Sequence, residues 1–514
     1  MNPTTTTTTL LLTAMISPLA LAVDTPDWTH SRLATDYVQV IPAANGGVIA
    51  MGETTSQDSI SDSDVYVTQL NADGTEAWSH QWQGNISDPD YSIRTDRFVD
   101  AVARPDGGVA VLGLYRDADA AGNASGRLTV KQIDGNGQLV ASTDLDWTNL
   151  SYWALSGIHL GAGSNGQIIV ARSDYASSMN AGLVSLDADG QVNWSVDLHD
   201  TITEGGIQVL DLVMSADGRS MICGEVQHFG NPQGMLAASF DNAGNLEWSQ
   251  IFETPITYGF QKGHAAVDAA GNLHVCGDLV NLDFDSDLHA AKIDPAGTVL
   301  WQYTLQESQT SFFPCGIEVA ANGNVYIGTS LHLPDGNNSF DGGFRIVGLD
   351  AMGAPLWNSE NKVYSDIFSI AANGLAVAPD GRINIVGSGW VGVQDSAQMI
   401  LTWNPDGTFK NMDLWNEDTS HEAALDSCYD ANGDLYVSGQ GAYINHRYTG
   451  TVRHFPETSC PGDLNRDGQV SVGDLLNLLA AFGSNDLTAD INNDGTVDIS
   501  DLLTLLGNWD GCNA

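Results

Sequence analysis

Basic residues are scarce in this chain: 18 Lys and Arg stand against 64 Asp and Glu among 514 residues, a formal net charge of −46. Such a surface repels phosphate backbones and anionic headgroups, so nucleic acid and anionic lipid are excluded as partners. Long apolar runs are missing too. The stretch Leu10 to Ala22 is shorter than the roughly 20 residues that span a bilayer, and no membrane insertion is expected. The chain contains no G-x-S-x-G, H-E-x-x-H or phosphate-loop motif, so no nucleophile elbow, zinc-protease helix or nucleotide cradle is written in it. Its histidines, including His228, His264, His332, His421 and His446, fall at no metal-ligand spacing. Cysteine is sparse, at six residues.

What the chain has instead is a repeat. Segments such as NGGVIAMG (Asn45 to Gly52), DGGVAVLG, DGRSMICG, AGNLHVCG, DGRINIVG and NGDLYVSG each join a tight turn to a short β-rich run. Their turn glycines are Gly46, Gly107, Gly166, Gly218, Gly271, Gly323, Gly381 and Gly433, spaced 52 to 61 residues apart. A second turn follows in most units, of the form Asp/Asn-x-x-Gly-x-x-x-Trp, as in Asn71 to Trp78, Asp187 to Trp194, Asp241 to Trp248, Asp294 to Trp301 and Asp350 to Trp357. Two units, around Gly137 and Gly407, keep the turn and lack the Trp. Two hairpins in about 50 residues, repeated, give four strands per unit, the pattern of a β-propeller blade.

These units resemble the propeller repeats of exported bacterial proteins, which implies an all-β ring of about eight four-stranded blades over residues 23–457. A count of seven holds if one unit is irregular. The last unit stops near His454 without its fourth strand, while a fitting segment, Asp27-Trp28-Thr29-His30, stands at the other end of the chain. That strand is expected to complete the last blade and close the ring. The repeat also looks like the tryptophan-docking motif of quinoprotein dehydrogenases, but those carry an adjacent cysteine pair over the cofactor, and this chain has no Cys-Cys.

The apolar run near the start ends in Ala20-Leu21-Ala22, a small-x-small triplet, so residues 1–22 read as a secretory signal peptide, with a secreted or cell-surface location expected. In an exported chain six cysteines permit three disulfides. Cys460 and Cys512 flank the C-terminal segment and are expected to staple it, whereas the partners of Cys223, Cys276, Cys315 and Cys428 stay open.

Residues 458–514 contain two twelve-residue loops 27 residues apart. The first offers Asp463, Asn465, Asp467, Gln469, Ser471 and Asp474; the second offers Asp490, Asn492, Asp494, Thr496, Asp498 and Asp501. Calcium takes six to eight hard oxygens. Positions 1, 3 and 5 supply side-chain oxygens, Gly468 and Gly495 make the turn at position 6, position 7 gives its carbonyl, and position 12 closes the shell. Two Ca²⁺ ions are therefore expected. Each loop runs into a short helix with apolar residues Leu475, Leu478, Leu479 and Phe482, or Leu502, Leu505, Leu506 and Trp509, expected to form two stripes that pack together.

This segment resembles the dockerin family, with Asp at position 12 where ordinary EF-hands have Glu. The resemblance implies a small α-helical, EF-hand-like module that docks to a cohesin-like receptor on a scaffold or cell surface, usually in polysaccharide-degrading systems. Many dockerins place polar contacts at loop positions 10 and 11; here these are Val472-Gly473 and Ile499-Ser500.

The long connections should lie together on one face of the propeller, with the Gly turns on the other. Flat aromatic rings there, including Trp147, Trp153, Tyr175 and Trp390, suit a polysaccharide surface, though anchoring of long loops is the stronger explanation of such rings, since no spacing singles out a pair. Asp283, Asp285 and Asp287 mimic half a calcium loop without its glycine or closing acid. The expectation is a propeller that binds a polysaccharide or protein and is displayed through its calcium module. The alternative is a carbohydrate-active enzyme, glycoside hydrolase or polysaccharide lyase, whose catalytic residues no motif names.

Overall fold

The computed structural model describes residues 26–509 except 27, 34, 45, 57–58, 83–93, 119–123, 146–156, 174–180, 203–205, 228–233, 254–261, 281–284, 335–339, 364–366, 392–394, 416–421, 442–448, 456–461, 463, 465–469, 485–488, 490 and 492–496. The signal segment, Cys460 and Cys512 thus lie outside the described residues. The chain divides into two compact units between Phe455 and Pro456.

The first unit is a propeller of eight antiparallel blades. Seven of them are continuous, at residues 35–82, 97–145, 158–197, 206–253, 263–305, 311–363 and 367–415. The eighth takes three strands from residues 423–455 and its outer strand, Trp28–Leu33, from the start of the chain. That outer strand pairs antiparallel with Thr449–Phe455, from Trp28 opposite His454 to Leu33 opposite Thr449, so the ring closes as the truncated last repeat requires. A two-residue strand, Arg94–Thr95, adds to blade 1 in parallel with Asp62 and Ser63.

The first strand of every blade touches the first strands of both neighbours, which makes these strands the inner wall of the ring. Third strands lie between neighbouring blades and are buried on both faces, as in Gly234–Phe240 and Ser286–Ile293. Outer strands alternate between half-buried and exposed, as in Val299–Leu305.

The second turn explains its own motif. In Asp187-x-x-Gly190 the Asp187 carboxylate accepts the N–H groups of Asp189 and Gln191, at 3.0 and 2.7 Å, fixing the turn from within. Gly190 closes it at φ 80°. The Trp that ends the motif reaches the next blade: Trp78 lies against Gly137, Trp194 against Gly244, Trp248 against Gly297, Trp301 against Gly353 and Trp357 against Gly407. At the closure Trp28 lies against Gly74, where a Cβ would come within 2.7 Å of the indole, so glycine is needed for contact as well as for its φ of 79°. The Trp28 indole N–H also donates to the Ala72 carbonyl at 2.8 Å. The side chain two residues after the Trp position adds a bond to the same glycine: His80 meets the Gly137 carbonyl and Gln250 donates to the Gly297 carbonyl, both at 2.8 Å, and in blade 2, which lacks the Trp, Thr143 donates to the Gly190 carbonyl at 2.6 Å.

Four cysteines for which disulfides were allowed are free thiols: Cys223, Cys276 and Cys315 are buried, and Cys428 is half-buried. They sit on strands of blades 4, 5, 6 and 8 and fill space as small apolar side chains.

The second unit contains the helices Val472–Ala481 and Ile499–Gly507. Its core is Val470, Leu478, Ala489, Val497 and Leu505, with Leu475, Leu502 and Trp509 packed against it. The expected apolar stripes are narrower than the sequence suggests. Leu479, Phe482 and Leu506 are 50%, 47% and 47% exposed, because a core between two short helices covers only one row of side chains on each.

Candidate functional site

Polar side chains come together at the helix starts of the C-terminal module, on the inner ring of the propeller and at the rim between blades 8, 1 and 2, as they also do around Asp268, His274 and Lys292 of blade 5 and around Arg345, Glu307 and Glu360 of blade 6.

In the module, loop positions 9 and 12 are described and the other expected calcium ligands are not. Ser471 caps its helix by accepting the Gly473 N–H at 3.2 Å, and Asp474 Oδ2 reaches back to accept the Ser471 N–H at 2.8 Å. The second loop repeats the arrangement. Asp498 accepts the Ser500 N–H at 2.7 Å, and Asp501 accepts the Asp498 N–H at 2.8 Å. Each loop's last acid is thereby locked by a capping box that starts the helix. Asp474 and Asp501 are wholly buried. A carboxylate removed from water is strongly unfavourable without compensating charge. Arg466 is the sole basic residue between 456 and 514. The helix N-termini supply only partial positive charge. Two buried carboxylates at loop ends rich in oxygen donors fit a hard divalent cation at each loop.

On the inner wall, the residue seven before each first-turn glycine is Gln39, Asp100, His159, Asp211, His264, Gly316, Gly374 or Asp426. Where this residue is Asp, it follows a β-bulge that turns it along the ring. Asp100 accepts the Ala101 N–H at 2.8 Å and the Leu160 N–H of blade 3 at 2.7 Å. Asp211 accepts from Leu212 at 2.7 Å and from Ala265 of blade 5 at 2.8 Å. Asp426 accepts from Ser427 at 2.8 Å and from Val40 of blade 1 at 3.0 Å. Gln39 makes a two-way bond with Ala101 of blade 2, at 3.0 and 3.1 Å. These four residues stitch blade 1 to 2, 2 to 3, 4 to 5 and 8 to 1. Burial pushes Asp100 up to about 6 and Asp426 to about 7, against the N–H bonds that favour their charge.

The rim cluster lies where strands meet the long connections. Asp36 and Glu53 are cross-strand partners in blade 1. Arg97, which opens blade 2, places Nη1 at 3.2 Å from Glu53 Oε2. Burial raises Glu53 to about 7, with Arg97 opposing and Asp36 reinforcing the shift. Burial likewise raises Asp36 to about 6, with Gln440 of blade 8 and Arg97 opposing. A carboxyl group titrating near neutrality beside a guanidinium can donate or accept a proton while its neighbour holds an anion. Sequence reading missed this trio. Its signal was the polar residue directly after the repeat glycine Gly52, where Gly277 is followed by Asp278 and Gly439 by Gln440.

Of the aromatic residues singled out for ligand contact, Trp147, Trp153 and Tyr175 lie outside the described residues. Trp390 is on strand Ile383–Val391, opposite Ser396. Asp285 accepts the Gln309 N–H at 2.9 Å, tying down the link between blades 5 and 6. Among the described residues no three His, Cys, Asp or Glu side chains are grouped to hold a metal ion. Among them, too, no helix is long and apolar enough to cross a membrane.

The chain is an eight-bladed propeller carrying a small helical module, and comparison identifies the latter. Residues 461–507 match the family model of the Dockerin type I domain, so the C-terminus carries a dockerin domain. No curated protein matches the chain in sequence. Among solved structures, the chain is similar to polysaccharide lyase Uly1 at 12% identity and a TM-score of 0.42, over 82% of this chain and 90% of that one. It is similar to the polysaccharide lyase PL25-Ulvanlyase at 10% identity and a TM-score of 0.37, over 60% and 84%. The β-propeller domain of the Trilobed protease from Pyrococcus furiosus gives 10% identity and a TM-score of 0.37, over 70% and 98%. These likenesses are of fold alone.

Proposed function

We propose that this is an extracellular, receptor-tethered propeller that binds polysaccharide and is held in place by a calcium-folded dockerin domain. The observation that carries the reading is the dockerin match over residues 461–507, reinforced by the buried Asp474 and Asp501. Two Ca²⁺ ions would be held by Asp463, Asn465, Asp467, the Gln469 carbonyl, Ser471 and Asp474, and by Asp490, Asn492, Asp494, the Thr496 carbonyl, Asp498 and Asp501. A bound ion supplies positive charge beside the buried carboxylates. Residues 1–22 act as the export signal, and a Cys460–Cys512 disulfide joins the ends of the domain.

The partner of the dockerin domain is a cohesin-type receptor. Val472, Leu476 and Leu479 on one helix, and Ile499, Leu503 and Leu506 on the other, leave an exposed apolar surface on each. Docking through these side chains depends on shape and apolar burial, and is less sensitive to salt than docking through charges.

A second reading, a carbohydrate-active enzyme, is favoured by one observation: Asp36, Glu53 and Arg97 at the blade 1–2 rim, with carboxyl groups that titrate near neutral pH. Incubation of the full chain with a polysaccharide panel separates the two. Retention on a polymer without release of reducing or unsaturated ends supports binding. Product formation that Glu53→Gln abolishes supports the enzyme. Neither retention nor product sinks both.

A further inference from the structure

The basic residues are unevenly placed. Arg94, Arg97, Arg104, Arg116, Arg127 and Lys131 are six of the chain's 18 Lys and Arg, and only five acids share that stretch, from residue 94 to residue 131. In a protein of net charge −46 this stretch of blade 2 and the link leading into it is close to balanced, and around Tyr115 Arg127 and Lys131 stand beside Asp64, Asp96 and Asp144.

These two cations stand beside aromatic rings. The outer strand of blade 1, Glu76–Trp82, presents His80 and Trp82 stacked at 5.2 Å between centroids. Facing them, strand Ala124–Ile133 of blade 2 places Arg127 and Lys131 on one side. Lys131 Nζ lies 5.3 Å from the centre of the Trp82 ring and 5.5 Å from that of Tyr115. Arg127 lies 5.9 Å from the Tyr115 ring and pairs with Asp144 at 2.7 Å. Lys131 donates to Ser142 at 3.2 Å and makes no ion pair among the described residues. Burial and the neighbouring Arg127 hold its ammonium below the ordinary value, against Asp144.

Tyr115 is the third element. It is 3% exposed, and its hydroxyl has no hydrogen-bond partner. A buried hydroxyl left unpaired is unfavourable by roughly 1–3 kcal/mol and marks a place where a polar ligand atom is missing. The blade-to-blade contact is made by Trp78 on Gly137 and by His80 Nε2 on the Gly137 carbonyl at 2.8 Å, and Trp82 packs with Tyr115 in the core between blades 1 and 2; Arg127 and Lys131 are the groups that this contact does not call for.

We propose that the cleft between blades 1 and 2, lined by His80, Trp82, Tyr115, Arg127 and Lys131, binds an anionic sugar unit of a polysaccharide, carboxylated or sulfated. This rests on the polysaccharide-binding reading above and gives that reading a place and a chemical class. The sugar ring stacks on the exposed aromatic edge while its acid group meets Lys131 and Arg127. The overall −46 does not forbid this. At about 0.15 M salt the screening length is about 8 Å, so a ligand in the cleft responds to nearby cations more than to distant acids.

The test is calorimetric titration of the full chain at physiological salt with three oligomers: oligogalacturonides, sulfated galactan oligomers and neutral cello-oligosaccharides. Either or both anionic oligomers bind and the neutral one does not, the two arms telling carboxylate from sulfate. Lys131→Gln, which keeps the aliphatic stem over the rings, weakens binding at least tenfold at unchanged melting temperature; Trp82→Ala weakens binding at least tenfold and lowers the melting temperature, because its ring packs on the core between blades 1 and 2. Lys410→Gln, at an exposed lysine in blade 7, leaves it unaltered. Anionic binding that Lys131→Gln does not alter overturns the cleft, even should Trp82→Ala fail to fold. Equal affinity for the neutral oligomer overturns the anionic class while leaving the polysaccharide reading intact. No binding to either anionic oligomer overturns the proposal outright, and retention of other polymers in the panel then decides whether the wider reading survives.

Discussion

In the propeller, side chains as large as Tyr37, Tyr66, Phe240, Phe312 and Trp403 are buried whole, and each inner strand leans on two others. Among the described residues of the dockerin domain the wholly buried side chains are Val470, Leu478, Val497 and Leu505, together with two carboxylates. A ring of blades gains stability by burying apolar surface at every junction, each Å² contributing roughly 25 cal/mol. A unit of under 60 residues with five core side chains has too little such surface to offset the entropy of folding. It also buries two carboxylates at its helix starts. The propeller's raised acids and the dockerin domain's buried acids thus stand in different settings. The former take up protons more readily than an ordinary carboxylate; the latter are the ones a bound cation would balance in the calcium sites proposed above.

The largest effect should come from the seam of the ring. Removing residues 1–33 leaves blade 8 without its outer strand, and the propeller is expected to lose its cooperative melting transition and near-ultraviolet dichroism while the dockerin domain still binds calcium. Trp28→Ala is a gentler break. It removes a ring stacked on His454 at 5.2 Å, contact with Gly74 and the bond to Ala72. A loss of about 2–4 kcal/mol of propeller stability by denaturant titration is expected, with the dockerin domain unaffected.

Acidity provides the next contrast. Burial raises Asp36, Glu53, Asp100 and Asp426 to about 6 to 7 in the fold, above an ordinary carboxylate. Between the unfolded and folded values the native state holds more protons, so these groups make stability fall as pH rises. Their contribution favours folding below about pH 4 to 5 and is progressively lost up to about pH 7. The propeller should thus melt at a higher temperature at pH 5 than at pH 8, and Asp426→Asn should flatten that dependence. A melting temperature lower at pH 5 would show that other groups dominate. The smallest stability effect belongs to Val472→Lys with Ile499→Lys, both at exposed positions. Stability should stay within about 0.5 kcal/mol for each change, while binding of a cohesin-type receptor, measured by surface plasmon resonance, is lost.

Much of the fold was legible because its signals are local. A turn that needs positive φ must carry Gly, an Asp that closes its own turn sits at a fixed place, and the Trp follows four residues after that glycine. Trp28 could be assigned to the last blade because only that blade lacked its outer strand. The dockerin helices were harder. Leu475, Leu478, Leu479 and Phe482 share a helical period, yet period alone does not say how much of a stripe the opposing helix can cover, and half of this one is left in solvent. The inner stitches and the rim trio were not read. Asp100, Asp211 and Asp426 do stand at a constant distance before their turn glycines, but their role depends on a bulge and on the neighbouring blade's N–H, which no single repeat reveals. Asp36, Glu53 and Arg97 come from three strands in two blades, and the acids were too numerous for sequence to single out any pair.

The contrast between a metal-independent ring and a metal-dependent appendage is tested most directly by scanning calorimetry of the full chain with calcium and with excess EDTA. Two transitions are predicted in calcium; EDTA should abolish the smaller and leave the larger at the same temperature. A single transition, or a smaller one that EDTA does not move, would contradict the account.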